Sequence, residues 1–180
     1  SLSDLTRAII VSMGTGTAYV IADGDRVQHI GGTGVGGGTL LGLSNRMLNI
    51  RNFSDLVDMA KDGNLSNVDL SIGDISHGDV AGLTKETTAS NFGKISDLAS
   101  KADIALGIIN LVFQTIGMLA VFASRNEKVS DVVLTGNLTN VPQARAIFDG
   151  LTKLFNVNFH IPLHAEYATA AGAALSSPEK

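Results

Sequence analysis

The stretch Ala8-Ile9-Ile10-Val11-Ser12-Met13-Gly14-Thr15-Gly16-Thr17-Ala18-Tyr19-Val20-Ile21-Ala22 decides how this chain folds. Two β-rich runs flank four residues of glycine and threonine, so strands at 8–12 and 18–22 close a hairpin around Gly14–Thr17. Moving outward, Asp23-Gly24-Asp25 is a second tight-turn signal, and Arg26 to Ile30 reads as a third strand. The result is an antiparallel meander. It runs into a second glycine cluster, Gly31-Gly32-Thr33-Gly34-Val35-Gly36-Gly37-Gly38. Ten of the 20 glycines fall between Gly14 and Gly42. Glycine tolerates positive φ and close approach at an entropic cost, so this density, interleaved with threonine, points to a surface that holds a ligand. Phosphate is the natural candidate, because successive backbone N–H groups form anion-binding nests.

Downstream of the glycines the pattern turns helical. Leu40, Leu41, Leu43, Met47 and Leu48 mark a helix from about Gly38 to Leu48. Leu56, Val57, Met59 and Ala60 mark a second, with Ser54 as N-cap and Gly63 as its end. Residues 64–93 are polar, rich in turn signals and read as a loop. Asp103 to about Asn126 is the longest helix, apolar on nearly all sides, which must be covered all round. Val132-Val133-Leu134 is a strand, Gly136-Asn137 a turn, and Gln143 to Phe155 a helix after Pro142. Val157 to Ile161 is a strand and Tyr167 to Leu175 an alanine-rich helix. The predicted order is βββ-α-α-α-β-α-β-α: an α/β domain whose sheet begins antiparallel and gains parallel strands after helices.

Totals limit the function classes. With 180 residues, 44% hydrophobic and 17% charged, the chain is a well-buried domain and not a disordered one. A net charge of −4 without a basic run gives nothing that attracts a nucleic-acid backbone. No cysteine is present, so disulfides, thiolate nucleophiles and cysteine-type zinc sites are excluded. Ser1-Leu2-Ser3-Asp4 lacks the charged start of a signal peptide, and a cytoplasmic location is expected. Ile104 to Ala123 is long enough to span a membrane, but Asn110, Gln114 and Thr115 at its middle favour a buried or dimer-forming helix, with no membrane partner.

Several motifs dissolve on inspection. Gly32-Thr33-Gly34-Val35-Gly36-Gly37 fits the dinucleotide fingerprint, yet it follows an antiparallel meander instead of opening a parallel βαβ unit. Gly93-Lys94 is followed by Ile95, so it is not a Walker A loop. Asp74, His77 and Asp79 read as a solvated loop and not as a metal cluster; no metal ligands are assigned. His160 and His164 have no partner at a hydrolase spacing. Glu86 and Glu166 are carboxylates that nothing in the sequence positions as bases.

The strand–hairpin–strand with its Gly-Thr-Gly-Thr turn, followed later by Leu134-Thr135-Gly136-Asn137, resembles one half of the actin/hexokinase-like (ribonuclease H-like) architecture. Met13 to Thr17, Gly31 to Leu43, Asn67-Val68-Asp69-Leu70, Ala89-Ser90-Asn91-Phe92-Gly93, Thr135-Gly136-Asn137, His164 and Tyr167 to Ala173 together resemble type II (eukaryotic-like) pantothenate kinase over nearly the whole chain. That resemblance implies transfer of the γ-phosphoryl group of ATP, with Mg²⁺, to pantothenate, giving 4′-phosphopantothenate in coenzyme A synthesis. It implies that Gly14, Thr15, Gly16 and Thr17 hold phosphates, that Gly36, Gly37 and Gly38 let a ligand lie against the backbone, and that Gly136 and Asn137 border the nucleotide. His29, Gly32 and Thr33 would face the acceptor. It further implies a homodimer through helix 103–126 and coenzyme A as a possible feedback ligand.

Three departures from the family pattern matter, the least of them Ala168-Thr169 where the family has Gly after the C-terminal Tyr, a change that narrows that pocket. His29 stands where the family usually has Arg, and imidazole cannot reproduce a bidentate guanidinium contact. Acceptors such as sugars or amino sugars therefore stay open, as does a non-catalytic lobe that binds nucleotide or coenzyme A. The Asp-Gly-Gly phosphate loop and the glutamate that activates the acceptor hydroxyl have no counterpart in these 180 residues. The expectation is a single C-terminal lobe, with no catalytic residue of its own and inactive alone.

Overall fold

A computed structural model describes residues 5–176, apart from 79 and 81. The chain gathers into two compact units, one reaching Thr39 and resuming at Thr115, the other Leu40–Gln114. Their boundaries fall inside two helices.

The first unit is built on the predicted meander. β1 (Arg7–Met13), β2 (Thr17–Asp23) and β3 (Arg26–Thr33) pair antiparallel, with Met13 opposite Thr17 across the first turn. β6 (Asp131–Thr135) lies parallel to β1, and β7 (Asn158–His160) lies parallel to β6. The sheet order is β3-β2-β1-β6-β7, the mixed sheet expected from strands that follow helices. Alternation decides its faces. Ile9, Val11, Met13, Tyr19, Ile21, Val132 and Leu134 are buried on one side, each side chain contributing about 1.5–3 kcal/mol. Ile10, Val20 and Val133 on the other side are half-buried.

Helix α5 (Pro142–Phe155) begins with Pro142 in its first turn, where the missing N–H costs nothing, and ends on Asn156 in the left-handed conformation at φ 56°. Phe148 of α5 packs against Phe159 of β7, the rings tilted by 35° with centroids 5.0 Å apart. A short 3₁₀ turn at Ala165–Tyr167 leads into α6 (Ala168–Ser176), so Tyr167 sits before this helix and not in it.

Helix α4 (Lys101–Glu127) contributes its C-terminal half to this unit. Tyr19 is buried and its hydroxyl donates to the Ile116 carbonyl at 2.9 Å; burial pushes that hydroxyl's pKa up. Gly117 gives Leu151 and Phe148 room that a Cβ would occupy. α4 is long and apolar enough to cross a membrane by length and composition, and most of its apolar window is buried within the protein.

The second unit holds most of α1 (Gly37–Leu48), α2 (Phe53–Ala60), the N-terminal half of α4 and a small hairpin-like sheet. α2 starts two residues earlier than the sequence pattern indicates. Its N-cap is Asn52, which accepts from the Asp55 N–H at 2.9 Å, while Ser54 lies inside the helix and donates to Asn52 Oδ1. The predicted loop 64–93 is also more ordered than its composition suggests. β4 (Leu70–Ser71) pairs with β5 (Thr88–Ser90), and α3 (Ile72–Ile75) opens on a capping box made by Ser71 and Asp74.

Candidate functional site

The carboxyl ends of parallel strands are where open α/β sheets bind ligands, since helices and loops leave a crevice there. β1 and β6 end side by side at Met13 and Thr135. Met13 runs into the Gly14–Gly16 turn and Thr135 into Gly136. Gly136 adopts φ 94°, and a Cβ there would collide with the Met13 carbonyl, so only glycine lets the two strand ends meet. Its N–H donates to the Ala165 carbonyl at 2.9 Å and its carbonyl accepts from the Thr139 hydroxyl at 2.8 Å. Thus Gly14 and Gly136, predicted from separate motifs, come together. Asn137 is exposed beside them.

The second glycine cluster packs directly on the first. Gly37 N–H donates to the Gly14 carbonyl and Gly38 N–H to the Thr15 carbonyl, both at 2.9 Å. Gly36 N–H donates to Thr39 Oγ1 at 3.3 Å, and that hydroxyl donates to the Gly34 carbonyl. A Cβ on Gly36 would stand 2.6 Å from the Thr15 carbonyl oxygen and 2.8 Å from Gly16 Cα. Three glycines that the sequence reading gives to a ligand therefore serve the protein's own backbone. Their amides are already donated, and their bareness lets the hairpin turn lie against the start of α1.

Thr17 is likewise committed. It is buried, and its hydroxyl donates to the Val35 carbonyl at 2.9 Å, so it braces the loop and does not face outward. Thr33 Oγ1 accepts from the Val35 N–H at 3.1 Å. What faces outward is smaller than predicted: the exposed Thr15 side chain and, among the described residues, the Thr15 and Gly16 N–H groups, which have no protein acceptor. Two adjacent unpaired amides on a rigid turn suit a phosphate oxygen.

His29 and Gly32 lie on β3, the sheet's edge strand. The register with β2 shifts between Tyr19 and Val20, leaving Ile30 as a bulged residue, with Val20 opposite His29 and Ala18 opposite Gly32. The bulge turns His29 and Gly32 to one face, and His29 Nε2 comes within 3.9 Å of where a Gly32 Cβ would be.

Chain-wide similarity fits this geometry. Residues 3–175 match the Fumble family. The chain belongs to the Fumble family. Relatives of this Fumble chain include a type II pantothenate kinase of Bacillus cereus (strain AH820), 32% identical over 157 residues, covering 85% of this chain and 57% of that protein. Another, from Oceanobacillus iheyensis, is 31% identical over 172 residues, covering 94% of this chain and 64% of the relative. The Fumble chain thus spans about three-fifths of the length of these relatives. Among solved structures, ligand-bound xylulose kinase from Lactobacillus acidophilus superposes with a TM-score of 0.59 at 14% identity, over 94% of this chain and 38% of that one. That likeness carries the fold, the actin/hexokinase-like α/β architecture expected from the strand order.

The other sequence candidates settle elsewhere. Asp74 pairs with Lys94 Nζ at 2.7 Å and caps α3, and Lys94 with the Ser71 bonds holds its carboxyl at about 2. Asp79 lies outside the described residues. His160 Nε2 bonds Asp131 Oδ1 at 2.8 Å, joining β7 to β6. Among the described residues no three His, Asp or Glu side chains gather as a metal site.

One buried carboxyl group, in the motif Asn67-Val68-Asp69-Leu70, is given no role by the sequence. Asp69, 3% exposed, accepts from Phe92 N–H at 2.8 Å, Asn110 Nδ2 at 2.7 Å and Asn91 Nδ2 at 3.2 Å. Phe92 is held at φ 58°, a strained setting for a bulky residue. The available signal was Asn110, an amide in the middle of an apolar helix, which needs a buried partner.

Proposed function

We propose that this chain is the nucleotide- and acceptor-facing lobe of a cytoplasmic pantothenate kinase. The whole protein would transfer the γ-phosphoryl group of ATP to the primary hydroxyl of pantothenate. The observation that carries the reading is the Thr15–Gly16 turn: two unpaired amides beside Gly136, at the carboxyl ends of parallel β1 and β6. Phosphoryl transfer needs positioning and charge stabilisation, and a fixed pair of N–H donors supplies both without reorganising. Family membership and the names of the relatives supply the substrate. ATP is the donor, and Mg²⁺ would arrive with its phosphates as part of that substrate.

In this reading Gly14, Thr15 and Gly16 contact phosphate, Gly136 and Asn137 border the nucleotide, and His29 and Gly32 face the acceptor, while Thr33, opposite Thr17 on the other face of β3, braces the loop through the Val35 N–H. Thr17, Gly36, Gly37 and Gly38 hold the turn in shape. We assign no catalytic base within the chain, propose a homodimer through helix 103–126, and propose coenzyme A as a ligand of the same cleft. The test is Gly16→Val. A Cβ at Gly16 would stand 2.9 Å from the Thr33 carbonyl oxygen, forcing the turn to move. ATP binding, read as thermal stabilisation by millimolar nucleotide, should disappear in this variant while its unliganded melt stays cooperative. Unchanged stabilisation by ATP would refute the phosphate assignment. An assay of the whole protein against pantothenate and a panel of sugars decides the acceptor.

A further inference from the structure

Strand β7 ends the sheet order, and β6 is its one strand neighbour among the described residues. Parity decides which backbone groups face its open side. Asn158 N–H donates to the Ser130 carbonyl at 2.8 Å, so Asn158 and His160 turn their amides and carbonyls toward β6. Phe159 between them and Ile161 beyond them turn theirs outward. Pro162, without an N–H, ends that run. Beside it runs a groove of about 320 Å³, lined by Arg145, Phe148 and Asp149 of α5 and by Phe159, His160 and Ile161. α5 returns the chain from β6 to its parallel neighbour, so it descends as β7 rises. Phe148 against Phe159 sets the level: Asp149 lies toward Phe159, and Arg145, one turn earlier, toward Ile161. Both charges are exposed, and among the described residues neither has an ion pair or a side-chain hydrogen bond. They do not pair with each other, base before acid being the weaker order on a helix.

We propose that this groove takes an extended peptide of a partner protein, which adds to β7 as an antiparallel sixth strand and carries a Glu and a Lys two positions apart. The inference is independent of the phosphoryl-transfer reading. Open strand edges template such additions, main-chain bonds giving affinity and alternate side chains giving specificity. Spacing selects the charges. Four residues of α5 rise about 6 Å, and two residues of an added strand span about 6.8 Å. Side chains opposite Phe159 and Ile161 fall on the α5 face, because cross-strand pairs share a face and Phe159 meets Phe148 there. The one opposite Phe159 then meets Asp149 and must be basic; the one opposite Ile161 meets Arg145 and must be acidic. Running antiparallel, the peptide passes Ile161 first, so it reads Glu-x-Lys. The intervening side chain points to the other face, where His160 Nε2 is held by Asp131 at 2.8 Å.

The experiment is fluorescence anisotropy of the whole protein with labelled Thr-Glu-Val-Lys-Thr and its charge exchange, Thr-Lys-Val-Glu-Thr. The first should bind about tenfold more tightly, two partly exposed ion pairs against two repulsions, and the difference should fade in high salt. Arg145→Glu combined with Asp149→Arg should reverse the preference. Melting curves check that this double variant folds; where it does not, Arg145→Gln alone should shrink the preference severalfold. A backbone N-methyl on the peptide Lys, whose N–H faces β7, should abolish binding, while one on the Val, whose N–H faces away, should not. No binding of either peptide at millimolar concentration, equal binding of both, a preference unmoved by these variants, or indifference to the methyl on Lys overturns the inference. Peptide affinity that falls as protein concentration rises shows a second copy in the groove and overturns it as well.

Discussion

Thr15 and Thr17 look equivalent in the sequence, and the fold makes them opposites. Thr17 is 4% exposed and spends its hydroxyl on the Val35 carbonyl, so Thr17→Val should destabilise the protein by about 1 kcal/mol through the orphaned acceptor. Thr15 is exposed, and Thr15→Val should leave the melting temperature within about a degree while weakening ATP binding severalfold. Melting curves with and without nucleotide separate the two effects; a destabilised Thr15→Val with normal ATP binding would reverse the assignment. This is also where sequence reading stopped. Glycine density announced a surface of bare backbone, but whether an amide is free depends on which carbonyl lies opposite it. Gly37 and Gly38 donate to residues more than twenty positions away, a pairing that no local spacing reveals.

At the scale of elements, the strands and long helices were legible because period-two and period-3.6 patterns survive in single sequences. The small β4–β5 sheet was not. Its strands have two and three residues, too few to show a period, and a buried carboxylate and its amide donors tie the segment down. A second carboxylate does similar work for α4. Asp103 accepts from the Asn64 N–H at 2.7 Å and the Ser100 N–H at 2.9 Å, and also from Asn67 Nδ2, bonds that hold its carboxyl at about 2 against an ordinary 3.8. A lowered folded-state pKa means this stabilisation is complete above about pH 4 and is lost as pH falls toward 2. Acid unfolding should therefore steepen in that window. Asp103→Asn should be less stable at pH 7 and lose less between pH 4 and 2, as urea midpoints at each pH would report. An unaltered acid slope would show that Asp103 does not carry it.

For the molecule as a whole, the open question is what covers α4. Its buried face holds Ile108, Ile109, Val112, Phe113, Ile116, Ala120 and Val121, yet Phe122 is 56% and Leu119 37% exposed. Leu111, Thr115 and Met118 are half-buried and continue that outer stripe at helical spacing. A helix apolar all round gains by burying its remaining face, and a second copy of the same helix offers a self-complementary surface under two-fold symmetry. The proposed homodimer then makes a specific claim. Replacing Leu119 and Phe122 together by Glu would place four carboxylates at one symmetric contact, which neither burial nor pairing offsets. Sedimentation velocity should show the unaltered protein as a dimer and the double variant as a monomer, with self-association weakened at least tenfold. The melt of the variant at low protein concentration should match that of the unaltered chain, because both side chains already face outward. A double variant that stays dimeric moves the contact off this helix. An unaltered protein that sediments as a monomer removes the dimer, and the exposed phenylalanine then serves some other contact.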